Sequence, residues 1–274
     1  MSKPLGRIIK ILYALIFGIY LLEIGTAYFL TTIKCIKTHC PKHPTNCYEA
    51  TRNTGKSDVY TLDIEGKSFL AYCEADVNGD GWLVIQRRQD GTIDFNRNWA
   101  NYQSGFGNIY GEFFFGLNQL HTLTNKTPHE LMIVTRLFDS TVLHIKYDNF
   151  LIGSEIEGYS LKKLGLSSGN ATTFLGWKEG WKFWTKDRYN NSPCNEHFSA
   201  VISGGWWTNC EIIWDFYVRK AKSMDLSQVF YNFGITNLND IYNDKEYINV
   251  PDNFHFFDKM NIRFVQMMIR PTGF

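Results

Sequence analysis

The 274 residues suffice for one large domain or two small ones, and a content of 44% hydrophobic and 16% aromatic residues is too rich in core-forming side chains for a disordered chain. The formal net charge is +1, with acids and bases interleaved rather than gathered in blocks. No basic field is available to collect phosphates, so nucleic acid is not an expected partner.

Lys3, Arg7 and Lys10 precede an uncharged run from Ile11 to Leu22, followed by Glu23 and the small residues Gly25 and Ala27. That order is a secretory signal peptide's, whose apolar core runs about 7 to 15 residues. Residues 1–27 are read as that segment, with an uncleaved type II anchor from Ile8 to Leu30 as the alternative. Both place the rest of the chain on the oxidising side of a membrane, where the six cysteines read as bridges rather than metal ligands. Residue counting leaves their pairing open. Residues 28–45, with Cys35, Cys40, Pro41 and Pro44, are basic, poor in apolar side chains and read as a short stalk. From Asn46 to Phe274 the texture is uniform and without repeats, as expected of one domain.

Within that domain, Phe69 to Cys73 and Trp82 to Gln86 are rich in aromatic and branched residues and predict a hairpin through the turn-rich segment Asp76 to Gly81. Asp76, Asn78, Asp80 and Gly81 match the opening of a calcium loop, but Arg87 stands where a bidentate glutamate is required, so the segment is read as a turn. Gly105, Gly107 and Gly111 lack dinucleotide-loop spacing and are read as turn residues. Phe113, Leu117 and Leu120 fall at i, i+4 and i+7 and predict one helix face. Leu143, Ile145 and Tyr147 alternate with His144 and Lys146, predicting a half-buried strand beside Leu131 to Val134, and Ile262 to Ile269 predicts the last strand. Strands and helices do not alternate regularly, which makes the fold class α+β, with mostly short antiparallel strands, short helices and long loops.

No serine sits in a nucleophile elbow, no helical histidine pair frames a glutamate, and no phosphate-loop lysine follows suitable glycines. An enzyme is therefore not expected. Gly204, Gly205, Trp206 and Trp207 lie just before Cys210, with Trp177, Trp181 and Trp184 upstream. Some of these rings belong in a core, and one is expected at a surface pocket, where tryptophan makes flat contact with sugars or proteins.

Asn46 with Cys47, Tyr72 with Cys73, the run from Asp80 to Gly91, then Asp94 to Arg97, Trp99, Gly105 to Asn108, Gly111 with Glu112, Gly204 to Trp207 and Ile269 to Pro271 together closely resemble the fibrinogen C-terminal-like domain. That is the recognition domain of ficolins, tachylectins, angiopoietins and tenascins. The resemblance covers Asn46 to about Pro271 and implies the bridges Cys47 to Cys73 and Cys194 to Cys210. Cys35 and Cys40 are left over, to bridge each other or to link chains into disulfide-bonded oligomers, although no collagen repeat or heptad run accompanies them.

The family's calcium loop corresponds to Asp187, Arg188, Tyr189, Asn190 and Asn191, of which only Asp187 is a carboxylate, so any calcium would be weakly held. The sugar-binding relatives build an acetyl pocket beside that loop. The resemblance places Trp206, Trp207, Thr208 and Glu211 at that pocket, with Thr208 and Glu211 replacing the usual aromatic and histidine, and Trp214 to Tyr217 replacing an Asn-Leu-Asn-Gly run. Asn125, Asn170 and Asn190 begin glycosylation sequons. The expected function is a secreted, lectin-like or innate-defence recognition module for an extracellular glycan, with a divergent pocket. The alternative is a ligand or adhesion protein that engages a cell-surface receptor by protein contacts.

Overall fold

Asn46 caps the helix α1 (Cys47–Thr51): its side-chain oxygen accepts from the Glu49 N–H, while Glu49 accepts in turn from the Thr45 N–H. The structure, a computed structural model, describes residues 43–77, 79, 81–171, 174–176, 178–188, 204–209, 237–239 and 262–273. Apart from His43 these belong to one compact unit, Pro44–Phe274. Residues 1–42, including the apolar run, Cys35 and Cys40, lie outside the described residues, as do Trp177, Asn190, Cys194, Cys210 and Glu211. Among the described residues no helix is long and apolar enough to cross a membrane.

Cys47 is bridged to Cys73, which fastens α1 to strand β2 (Lys67–Glu74). Strand β2 pairs along its length with β1 (Asp58–Ile64), the chain reversing at Glu65 and Gly66 with φ of 56° and 76°. The predicted hairpin to β3 (Trp82–Arg88) is present but short, joining only Cys73 to Leu83 and Glu74 to Trp82. The main sheet runs β1-β2-β3-β13-β6-β7-β10, where β13 is Ile262–Pro271, β6 is His129–Leu137, β7 is Val142–Tyr147 and β10 is Ser167–Gly169. Every pairing is antiparallel. The last strand of the chain thus sits at the centre of the sheet, held by β3 on one side and β6 on the other. Central strands are covered on both faces, which is why β3 and most of β6 and β13 are buried residue after residue.

Two short strands, β4 (Phe106–Gly107) and β5 (Phe113–Phe114), hang from β3. Phe113 therefore belongs to a strand and not to the predicted helix face, which is a correction. Helix α3 (Leu117–Lys126) starts only after Gly116, whose φ of 114° is closed to helical geometry. Leu117 and Leu120 do face the core, as expected. Gly105 ends the helix Trp99–Ser104, and Gly107 belongs to β4 rather than to a turn, which is a correction; at both, backbone meets backbone, and a Cβ on Gly107 would lie 2.4 Å from the Glu112 carbonyl oxygen.

The sheet buries both faces, and β3 shows the division. Leu83 and Ile85 join the larger core beneath α3, while Trp82 and Val84 join Phe113, Met132, Val134 and Met268 on the other side. Long charged side chains lie over this second cluster. The Arg270 guanidinium sits 4.3 Å from the Trp82 ring centre, and Glu130 bridges Arg270 and Lys146. Burial opposes ionisation of Glu130, but these two cations outweigh it and hold the carboxyl below its usual range.

Candidate ligand-binding site

The expected site is built where three elements meet: helix α2 (Trp99–Ser104), strand β11 (Phe183–Trp184) and strand β12 (Trp206–Trp207). Strands β11 and β12 form a two-stranded antiparallel ribbon with Phe183 opposite Trp207 and Trp184 opposite Trp206, prolonged by the Thr208 N–H donating to the Lys182 carbonyl at 3.2 Å. Gly205 lets the ribbon lie directly on α2, since a Cβ there would come within 2.8 Å of both Phe183 and Tyr102. Tyr102 is wholly buried; its hydroxyl donates to the Phe95 carbonyl at 2.8 Å, and burial pushes its pKa well up.

Alternation then assigns each ribbon residue its surroundings. Trp207 turns into the core, its ring 5.1 Å from Phe183 and its Nε1 donating to the Tyr159 carbonyl at 2.9 Å. Trp206 and Thr208, two residues apart on the other face, are also buried, yet Trp206 Nε1 and Thr208 Oγ1 have no hydrogen-bond partner among the described residues. Whereas Trp181 and Trp184 are partly exposed, Trp206 and Trp207 are 1% and 0% exposed. Their area is consumed in packing against Phe183 and Phe150 and against each other. Thr208 is likewise buried, so of this segment only polar atoms, not aromatic faces, are left unengaged.

Asp187 is exposed, and its Oδ1 is already shared: it accepts from the Trp99 N–H at 2.9 Å, at the start of α2, and from the Thr185 hydroxyl at 2.7 Å. This carboxylate orients the helix against the ribbon. Among the described residues no three acidic, histidine or cysteine side chains gather around a common point. The rest of the candidate calcium loop, Tyr189 to Asn191, lies outside the described residues. Next to Asp187, the Arg188 guanidinium stacks 4.3 Å from the Trp99 ring centre and bonds Glu155, which also accepts from Trp99 Nε1 at 3.3 Å. The result is an exposed ion pair of Arg188 and Glu155 seated on the buried Trp99 indole, not apparent from the sequence because its members lie far apart in the chain.

Lys178 was equally illegible. It is 1% exposed beneath the ribbon, its ammonium donating to the Trp207 carbonyl at 3.2 Å and lying 5.0 Å from the Trp181 ring centre. Burial lowers its pKa to about 7. Asn125 and Asn170 are both exposed, Asn125 in the last turn of α3 and Asn170 beyond β10, where its side chain accepts from the His144 N–H and donates to the Val142 carbonyl.

Residues 43–272 match the family described as fibrinogen beta and gamma chains, C-terminal globular domain. The chain belongs to this family. This fibrinogen-type chain is 35% identical to ficolin-3 of Homo sapiens over 170 residues, covering 61% of the chain and 56% of that protein. It is 35% identical to tenascin-N of Mus musculus over 188 residues, 66% of the chain and 12% of that protein. With angiopoietin-4 of Bos taurus the identity is 28% over 236 residues, 83% of the chain and 43% of that protein. The chain thus spans little more than half the length of these relatives at most. Among solved structures, the fibrinogen-like globe domain of human ANGPTL6 superposes with a TM-score of 0.64 at 27% identity, covering 84% of this chain and 96% of that one. Lamprey fibrin D-dimer, complexed with the peptide Gly-His-Arg-Pro-amide, shares the fold with a TM-score of 0.61 at 22% identity, over 98% of this chain and 92% of that one. Fibrinogen-type membership makes the chain a non-enzymatic binding protein.

Proposed function

We propose that this chain is a secreted extracellular recognition protein that engages a cell-surface partner mainly by protein contacts. The observation that carries this reading is the state of Asp187 and the paired tryptophans. A family-type sugar pocket needs a calcium-ready acidic loop and an open aromatic wall. Here Asp187 is bound to α2 through Oδ1, and Trp206 and Trp207 are closed into the core. Arg188 and Glu155, each about half exposed and paired above the buried Trp99 ring, present the kind of arginine-bearing polar surface that protein interfaces use.

One observation favours the lectin-like reading as the second. Among the described residues, Trp206 Nε1 and Thr208 Oγ1 are a buried donor and a buried hydroxyl without partners, each costing about 1 to 3 kcal/mol if left so. A ligand acyl oxygen would satisfy the donor. Calcium and disulfide-linked oligomers through Cys35 or Cys40 belong to the same proposal.

The test is a glycan array and calorimetry with calcium and with chelator, run beside binding of the labelled protein to cells pretreated with protease or glycosidase. Binding lost after protease but indifferent to glycosidase and chelator supports protein recognition. Calcium-dependent capture of acetylated sugars overturns it in favour of the lectin. Reducing and non-reducing gels of the secreted protein report the oligomer.

A further inference from the structure

A cavity of about 220 Å³ opens between α1, the β1–β2 hairpin, the end of α3 and the end of β13, and it shares no residue with the ribbon site. Its wall is apolar where Leu62, Leu83, Leu123 and Ile269 meet. Leu62, Leu83 and Ile269 belong to the larger core, with Leu123 packed against it, so this is a preformed recess in rigid structure rather than a gap between loops. At the lining lies an exposed ion pair, Lys126 to Glu65 at 3.5 Å.

Of the polar side chains in the lining, Thr45, Asn46 and Asp63 bond within their own turns, and His129 has one ring nitrogen engaged. His129 is 4% exposed, and its Nδ1 lies 2.7 Å from the Thr127 carbonyl oxygen. A carbonyl only accepts, so Nδ1 carries the proton, and Nε2 of the neutral ring is left as an acceptor. Burial keeps the ring neutral by lowering its pKa.

Volume sets the class of guest. An apolar cavity of roughly 150 Å³ takes benzene, whereas drug-sized pockets begin at about 300 Å³. This cavity lies between the two. Filled with solvent it would hold roughly seven waters at about 30 Å³ each, against walls that are more apolar than polar. From the size of the recess, its apolar walls and the single imidazole acceptor, we infer that it is a binding site for a small bicyclic or branched apolar molecule bearing one N–H or O–H donor, which His129 Nε2 accepts.

Indole and indene test this, being alike in shape with only indole carrying the donor. Each is titrated into the full chain at neutral pH and followed by methyl NMR. The expected result is a saturable shift of the Leu62, Leu83, Leu123 and Ile269 methyls with indole, nuclear Overhauser contacts from its ring protons to those methyls, and about tenfold weaker binding of indene. Leu123→Trp fills the recess and abolishes binding. The contacts in the unaltered chain decide the matter if that variant fails to fold. No saturable shift, contacts that map elsewhere, or equal affinity for indole and indene overturns the proposal.

Discussion

Arg88 and Glu112 form an ion pair at 3.4 Å with side chains 2% and 0% exposed. Glu112 Oε1 also accepts from the N–H groups of Gln89, Asp90 and Gly91, and Oε2 accepts from that of Ile93, so one carboxylate moulds the whole loop that leaves β3. Removing one member of a buried pair strands the other charge and typically costs about 3 to 5 kcal/mol. Glu112→Ala is expected to lower stability by that order, measured by urea unfolding.

The Cys47 to Cys73 bridge closes a loop of 26 residues, and the loss of that closure raises the entropy of the unfolded chain. Chain statistics put the effect at about 3.5 kcal/mol. The double variant Cys47→Ser, Cys73→Ser is expected to unfold at correspondingly lower urea, while reductant shifts the unaltered protein in the same direction.

Gly205→Ala places a methyl 2.7 Å from Phe183 and 2.8 Å from Tyr102, two buried rings with nowhere to move. Overpacking of this kind costs about 1 to 3 kcal/mol. The expected signature is a lower melting temperature together with altered near-ultraviolet circular dichroism, because the ribbon that carries Trp206 and Trp207 must lift from α2.

Lys178 has a folded pKa of about 7, lowered by burial from 10.5. Between those values the unfolded chain holds a proton that the folded chain has lost, so stability rises with pH through that window, by at most about 1.4 kcal/mol per pH unit. Below the folded pKa the gain is gone. Urea unfolding of the unaltered protein and of Lys178→Met, compared from pH 7 to pH 10, is expected to show this slope only in the former.

Much of the architecture was legible because it depends on local pattern. The alternation of Leu143, Ile145 and Tyr147 specified β7, and the apolar run from Leu131 and that ending the chain specified the strands beside it. Phe113 misled because periodicity counts spacing and cannot register that Gly116, between it and Leu117, holds a φ of 114°.

By itself the sequence determined the class of molecule: its strand pattern marks an α+β domain, and the residues from Asp80 to Trp99 carry the resemblance to the family to which it belongs. Only the tertiary structure decided which of its tryptophans are packing, what Asp187 is bonded to, and that Lys178 and Glu112 are buried. The reason is that burial and partnership arise between residues far apart in the chain, as when β13 enters between β3 and β6, and no local period encodes them.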